Sequence, residues 1–165
     1  MKHVYLDASA LVKRFRYELG SEVVNDTIER VSTLDPRRLV VSTLTTLETL
    51  SILNRRRNDV QIPLPEFVRS LRGVIHEIKR FSHYLVLDEH FILASAIYTI
   101  KHNINSADAI HLAITFSLRD ASRRSGDNLV CMTADKRLVR ASQAEGITVV
   151  DPEQSSLDQA RAAIV

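Results

Sequence analysis

Short apolar runs that alternate with helical segments constrain the fold of this 165-residue sequence more than any other feature. Three of these runs, "HVYL", "LVCM" and "ITVV", are apolar throughout instead of alternating with polar residues. Strands of that kind are buried on both faces, as they are in a parallel sheet covered by helices. The order of strands and helices therefore predicts an α/β protein: a three-layer α/β/α sandwich around a central, mostly parallel sheet of four to five strands.

The length of the chain suits one domain with a core of its own. We expect that domain over residues 1–150, with the C-terminal tail, residues 151–165, as part of it. A single cysteine, Cys131, excludes an internal disulfide framework and a cysteine-rich zinc site. No run reaches the roughly 18 apolar residues of a membrane span, and Asp7 and Lys13 interrupt the N-terminal segment too early for a secretory signal. We therefore expect a cytoplasmic protein without a membrane partner.

Four acidic residues stand near the predicted carboxyl edge of the sheet. Asp7 ends the first strand, and Glu48 lies about one turn into the helix after the second strand. Asp108 and Asp135 lie in the first turns of two later helices. Because ligands of open parallel sheets bind beyond the carboxyl ends of the strands, these acids are candidates for one site.

Each acid also has a structural explanation. Asp7 could cap the helix that follows it, and Asp108 and Asp135 could favour the positive end of a helix dipole. Glu48 stands three residues after Thr45, the spacing of a capping box. Asp108 is the hardest to explain in this way, because the segment "ADAIHLAIT" around it is strongly apolar and is expected to be buried.

Carboxylates gathered at one edge of a sheet need protons or a cation among them. Two unit charges about 4 Å apart repel by about 4 kcal/mol at an effective dielectric constant of 20. Oxygen ligands without a cluster of His or Cys favour Mg²⁺ or Mn²⁺ over zinc. Such an ion, with basic side chains around it, suits phosphodiester hydrolysis, because it lowers the pKa of a water and binds a phosphate oxygen.

Five segments, spread over nearly the whole chain, carry a family resemblance: "YLDASALVKRF", "GSE", "LETL", "SADAIHLA" and "MTADKRLVRASQAEGITVVDP". Their order and spacing resemble those of the PIN-domain nucleases, and within them of the VapC-type toxins of toxin–antitoxin pairs. Each segment is a weak pattern by itself, but five in sequence are specific. The resemblance implies the PIN-like version of the predicted sandwich.

The resemblance implies four catalytic, metal-binding acids: Asp7, Glu48, Asp108 and Asp135. They would hold Mg²⁺ (or Mn²⁺) for the hydrolysis of RNA. Ser9 and Thr133 match small hydroxyl positions near the metal. Among the basic residues, Lys13 and Arg14 follow Asp7 by about two helical turns, and we expect them to contact the RNA backbone. His111, one turn after Asp108, is expected to be a packed or hydrogen-bonded histidine instead of a metal ligand.

The expected function is that of a metal-dependent endoribonuclease, the toxin of a toxin–antitoxin pair. The resemblance implies an RNA substrate, a homodimer, and a cognate antitoxin whose segment fills the acidic pocket. One alternative is a PIN-like scaffold that binds RNA or a partner without cutting, although the presence of all four acids argues against it. A phosphotransfer enzyme of the haloacid-dehalogenase type would need a second aspartate where this sequence has Ser9.

Overall fold

A computed structural model describes residues 2–165. Five strands form one sheet in the order β3-β2-β1-β4-β5. Their bounds are β1 His3–Leu6, β2 Leu39–Ser42, β3 His83–Leu85, β4 Leu129–Met132 and β5 Thr148–Val150. All neighbouring strands are parallel, which confirms the predicted sheet. Because β1 is the central strand, Asp7 follows it at the middle of the carboxyl edge.

Eight α-helices lie within the described residues, together with a short 3-10 helix over Pro36–Arg38. Their bounds are α1 Ala8–Phe15, α2 Ser21–Leu34, α3 Thr43–Val60, α4 Leu64–Phe81, α5 Glu89–His102, α6 Ser106–Arg124, α7 Lys136–Ala144 and α8 Leu157–Ile164. Between residues 2 and 165, none of them combines the length and the apolar character that a membrane crossing requires.

The alternation of side chains along β1 divides the core into two halves. Successive residues of a strand point to opposite faces of its sheet. Val4 and Leu6 belong to the half that contains buried residues of α1, α2, α4 and α8. Tyr5 belongs to the other half, with buried residues of α6 and α7 and partly buried ones of α5. Helices thus cover both faces of the sheet, which confirms the three-layer α/β/α sandwich.

The C-terminal helix contributes to the first half of the core. Ala160 and Ile164 of α8 are almost fully buried among residues of that half. The backbone N–H of Lys2 donates to the carbonyl of Ile164 at 3.0 Å, which ties α8 to the start of β1. The tail therefore packs on the same core as the rest of the chain.

Candidate active site

The four predicted acids line one pocket at the carboxyl edge of the sheet. Its volume is about 290 Å³. Four elements supply the carboxylates: the end of β1, the first half of α3, the first turn of α6 and the start of α7. The remaining lining residues are Ala8, Ser9, Ser51, Ile52, Arg55 and His111. Residues far apart in the sequence meet here because parallel strands end at the same edge of the sheet.

Asp7 is both a helix cap and a wall of the pocket. Its Oδ1 accepts a hydrogen bond from the backbone N–H of Ala10 at 3.0 Å, which caps α1. The hydroxyl of Ser9 donates to Oδ1 at 2.9 Å, and that of Thr133 donates to Oδ2 at 2.8 Å. Burial raises the pKa of Asp7, and a nearby histidine, His111, together with these hydrogen bonds, opposes the rise. The two hydroxyl residues predicted near the site both contact this carboxylate.

Asp108 has a buried oxygen without a donor. The residue is only 7% exposed, and its Oδ2 has no hydrogen-bond partner among residues 2–165. The Nε of Arg137 lies 3.4 Å from that oxygen, close enough for ionic attraction but not aligned as a hydrogen bond. Burial, and next the charge of Asp135, raises the pKa of Asp108 to about 6. The residue does not cap its helix, because that role belongs to Asn105.

Asp135 caps α7 and shares Arg137 with Asp108. Its Oδ1 accepts from the backbone N–H groups of Arg137 at 2.8 Å and Leu138 at 3.4 Å. The Nη2 of Arg137 lies 3.4 Å from Oδ2. Although burial acts to raise it, the pKa of Asp135 is lowered, because these N–H groups and the guanidinium stabilise its charge. Arg137 is therefore the protein's own counter-ion for two of the four acids, a role that the sequence analysis missed.

Glu48 contacts a histidine and forms no capping box. The first turn of α3 is capped instead by the Ser42 hydroxyl, which accepts from the backbone N–H of Thr45 at 3.0 Å. The Oε2 of Glu48 lies 2.6 Å from Nε2 of His111. The other ring nitrogen, Nδ1, lies 2.6 Å from the hydroxyl of Tyr5. His111 is thus a buried, hydrogen-bonded histidine, as expected, whereas the part played by Tyr5 had no signal in the sequence.

Lys13 and Arg14, which we expect to contact the RNA backbone, do not line the pocket. Lys13 is 3% exposed, and its Nζ binds Glu153 at 2.8 Å and Glu18 at 3.1 Å. Arg14 donates from Nε to Glu77 at 2.9 Å. The charges of both residues are thus compensated by carboxylates of the protein itself.

The donor set of the pocket fits a hard divalent cation. Carboxylate oxygens are ligands that suit Mg²⁺ or Mn²⁺. Buried polar atoms normally have a hydrogen-bond partner, and among the described residues Oδ2 of Asp108 has none. Between residues 2 and 165, no three acidic, His or Cys side chains already converge as a finished metal site would. Arg137 and the helix-cap hydrogen bonds of Asp7 and Asp135 occupy carboxylate oxygens in this arrangement. The side chain of Arg137 is 51% exposed, so its guanidinium can move away from the carboxylates into solvent.

Comparison with known proteins gives a consistent picture. The sequence matches the PIN domain family over residues 4–144. It is 30% identical to ribonuclease VapC35 of Mycobacterium tuberculosis over 152 residues, which cover 92% of this chain and 98% of that protein. Among solved structures, it resembles PAE2754 from Pyrobaculum aerophilum, with a TM-score of 0.62, 19% identity and 98% of each chain covered. It also resembles VapC20 of Mycobacterium tuberculosis, described as a toxin that cleaves the sarcin–ricin loop, with a TM-score of 0.58, 13% identity, and 84% and 94% of the two chains covered.

Proposed function

This chain belongs to the PIN-domain family, and from that premise we propose that it is a metal-dependent endoribonuclease, the toxin of a toxin–antitoxin pair. One observation carries the proposal: four carboxylates from four separate elements line a single pocket at the carboxyl edge of the sheet. The match to a ribonuclease over 92% of this chain supports the same activity. A non-cleaving scaffold has no need of four acids in one pocket, two of them with a pKa raised by burial.

We propose that the pocket binds Mg²⁺ or Mn²⁺ through the four acids: Asp7, Glu48, Asp108 and Asp135. When bound, such an ion supplies a nucleophilic water at neutral pH and offsets charge on the phosphate. Ser9 and Thr133 orient the carboxylate of Asp7 through the hydrogen bonds described above. Asp108 offers its unpartnered Oδ2, and it is ionised above a pH of about 6.

Arg55 is the residue that we propose for contact with the RNA backbone, in place of Lys13 and Arg14. It lines the pocket together with the acids. It follows Glu48 by seven residues, about two turns, so both lie on the same face of α3. Within residues 2–165, its guanidinium contacts the Ser51 hydroxyl at 3.5 Å and no carboxylate. A guanidinium with free N–H groups at the mouth of an acidic pocket suits a phosphate, which it can bind through two hydrogen bonds.

We propose a groove between α3 and α4 as the contact surface for the cognate antitoxin. The groove has a volume of about 470 Å³. Its apolar wall includes Leu53, Phe67 and Leu71, and Arg56 and Arg57 stand along it. Asp59 and Glu66 also line the groove, so its apolar wall is the feature that suits an antitoxin segment, one with apolar side chains. The α3 helix also carries Glu48 and Arg55, so an antitoxin in the groove would lie beside the acidic pocket.

A homodimer is also part of the proposal, and the outer face of α5 supports it. This face carries four large apolar side chains that are at least half exposed: Ile92, Leu93, Ile97 and Ile100. Monomeric proteins rarely expose apolar patches of this kind without a binding role. We further propose a cytoplasmic location, where cellular RNA is found, and one domain that includes residues 151–165, since α8 packs on the common core.

Cleavage of total RNA by the purified, antitoxin-free protein tests the proposal. The protein is incubated with Mn²⁺, Mg²⁺ or EDTA, beside Asp7→Asn as the matched inactive variant. We expect discrete fragments that require the metal and disappear in the variant. Cleavage that persists in EDTA or in Asp7→Asn would contradict the site assignment. Metal binding without any cleavage, even of RNA from the native host, would favour the scaffold.

A further inference from the structure

We propose that His111, braced by Tyr5, is the positioning residue that fixes Glu48 for metal binding. The inference rests on the proposed function, since it names the residue that orients Glu48, one of the four proposed metal-binding acids. Both side chains are buried: His111 lines the acidic pocket, and the hydroxyl of Tyr5 contacts its ring. The Tyr5 hydroxyl contacts one ring nitrogen of His111, and the other ring nitrogen contacts the carboxylate of Glu48.

The direction of the last hydrogen bond follows from the chemistry of the groups. An ionised carboxylate only accepts, so Nε2 of His111 carries the hydrogen that it shares with Oε2 of Glu48 at 2.6 Å. The remaining nitrogen, Nδ1, meets the hydroxyl of Tyr5 at 2.6 Å. A phenol can donate or accept, so this contact holds the ring in place in either protonation state of the histidine. The imidazole is therefore fixed at both nitrogens.

Tyr5 is itself anchored. Its hydroxyl lies 3.1 Å from Oγ of Ser42 and 3.2 Å from Oγ1 of Thr45. The Thr45 hydroxyl in turn donates to the backbone carbonyl of Leu6 at 3.2 Å. From the central strand β1, the Tyr5 hydroxyl thus contacts both the start of α3 and His111 of α6. It connects α3 and α6, which carry Glu48 and Asp108, to the strand that Asp7 follows.

The contact engages one oxygen of Glu48 and leaves the other for a ligand. Glu48 lines the pocket, and its side chain is 32% exposed, whereas that of His111 is 3% exposed. Within residues 2–165, Oε1 of Glu48 accepts no hydrogen bond. A long, partly exposed glutamate has several rotamers, and ordering it costs conformational entropy. The buried imidazole removes part of that cost before a metal ion arrives.

Mn²⁺ affinity of folded variants tests this role. His111→Leu removes the donor, and Tyr5→Phe removes only the brace at almost constant volume. His111→Gln keeps an N–H near the position of Nε2 and should rescue the loss in part. We expect Mn²⁺ binding about 10- to 100-fold weaker in His111→Leu, in the range for groups that orient metal ligands. Tyr5→Phe should weaken Mn²⁺ binding less than His111→Leu does. The control Tyr98→Phe on α5 should bind Mn²⁺ with the affinity of the wild type.

A double-mutant cycle with Glu48→Gln separates positioning from a general effect on the fold. If His111 acts through Glu48, then His111→Leu has no further effect on Mn²⁺ affinity in the Glu48→Gln background. Circular dichroism establishes that each variant is folded before it is titrated. Equal weakening in both backgrounds, or wild-type affinity in folded His111→Leu and Tyr5→Phe, would overturn the positioning role.

A measurement without metal tests the contact itself. In the metal-free wild type, the Nε2–H proton of His111 should give a downfield NMR signal that Glu48→Gln shifts. A signal that does not respond to Glu48→Gln would overturn the inference alone. A wild type that binds no Mn²⁺ and cleaves no RNA would instead overturn the proposed function and the positioning role with it. The outcomes of the two proposals are thus distinct.

Discussion

Asp108→Asn should stabilise the metal-free protein at neutral pH although it removes a proposed catalytic group. The pKa of Asp108 is raised by burial, and next by the charge of Asp135, from an ordinary 3.8 to about 6. As pH rises between these two values, the unfolded chain loses the proton before the folded chain does. The free energy of unfolding of the wild type therefore falls across this window. Above a pH of about 6, the folded protein bears the full free-energy cost of an ionised, buried Asp108.

The size of the penalty follows from the same two values. A displacement from 3.8 to about 6 corresponds to about 3 kcal/mol. This is an upper limit for the gain, because the asparagine also loses the attraction between Asp108 and Arg137. For a protein of this size, 1 kcal/mol moves the melting temperature by about 2–4 °C. We therefore expect the variant to melt up to about 10 °C above the wild type at pH 7.5.

Thermal unfolding in EDTA at pH 4.5 and pH 7.5 measures this effect. The advantage of Asp108→Asn should be large at pH 7.5 and small at pH 4.5, where the folded wild type keeps its proton. Asp158→Asn is the matched control, since that side chain is 94% exposed and should change little at either pH. A variant no more stable than the wild type at pH 7.5, or an advantage that is the same at both pH values, would refute the reasoning.

Saturating Mn²⁺ should reverse the order of stability, because it binds the folded wild type and raises its free energy of unfolding by about 4.1 kcal/mol at about 1,000 times its Kd. An equal rise in Asp108→Asn would contradict the assignment of that ligand. Arg137→Ala should destabilise the metal-free protein slightly at neutral pH and raise the pKa of Asp108 further, which ¹³C NMR of the carboxyl group would follow. Lys13→Ala should cost about 1–3 kcal/mol in urea unfolding, since it leaves two partly buried glutamates without their ammonium, and leave RNA affinity unchanged. Arg55→Ala should lower the slope of log affinity for RNA against log salt by about 0.7, whereas Arg123→Ala, an exposed arginine at the far end of α6, should not alter it.

The sheet and the placement of the acids were predictable from local patterns. Apolar runs such as "LVCM" indicate strands buried on both faces, and such strands are parallel in α/β proteins. An acid that follows such a strand, as Asp7 does, must then lie at the carboxyl edge. Asp7 caps α1, as its structural explanation predicts, and it also lines the pocket, as its proposed function requires.

Glu48 shows where a local pattern fails. Its spacing from Thr45 is that of a capping box. The hydroxyl of Ser42, however, accepts the hydrogen bond from a backbone N–H at the start of that helix. The partner of Glu48 is His111, which lies 63 residues away in the sequence. No periodicity predicts such a pair, because it depends on how α3 and α6 pack above the sheet.

Lys13 is a second residue whose partner could not be predicted from local sequence, in this case the partner of a charged group. Two turns after Asp7, it had the position expected of a residue that contacts the substrate. Its nearest carboxylate, however, belongs to Glu153, 140 residues away. A buried ammonium requires a partner, and no local pattern in the sequence indicates this one.

The sequence by itself determined the class of fold, the strand order along the chain and the four acids at one edge, because these follow from periods of two and of 3.6 residues and from the direction of parallel strands. Only the tertiary structure decided which basic residues are free, which acids share Arg137, and that Tyr5 and His111 stand behind Glu48. Those outcomes depend on distances between side chains that are remote in sequence, and electrostatic and hydrogen-bond energies change over a few tenths of a nanometre.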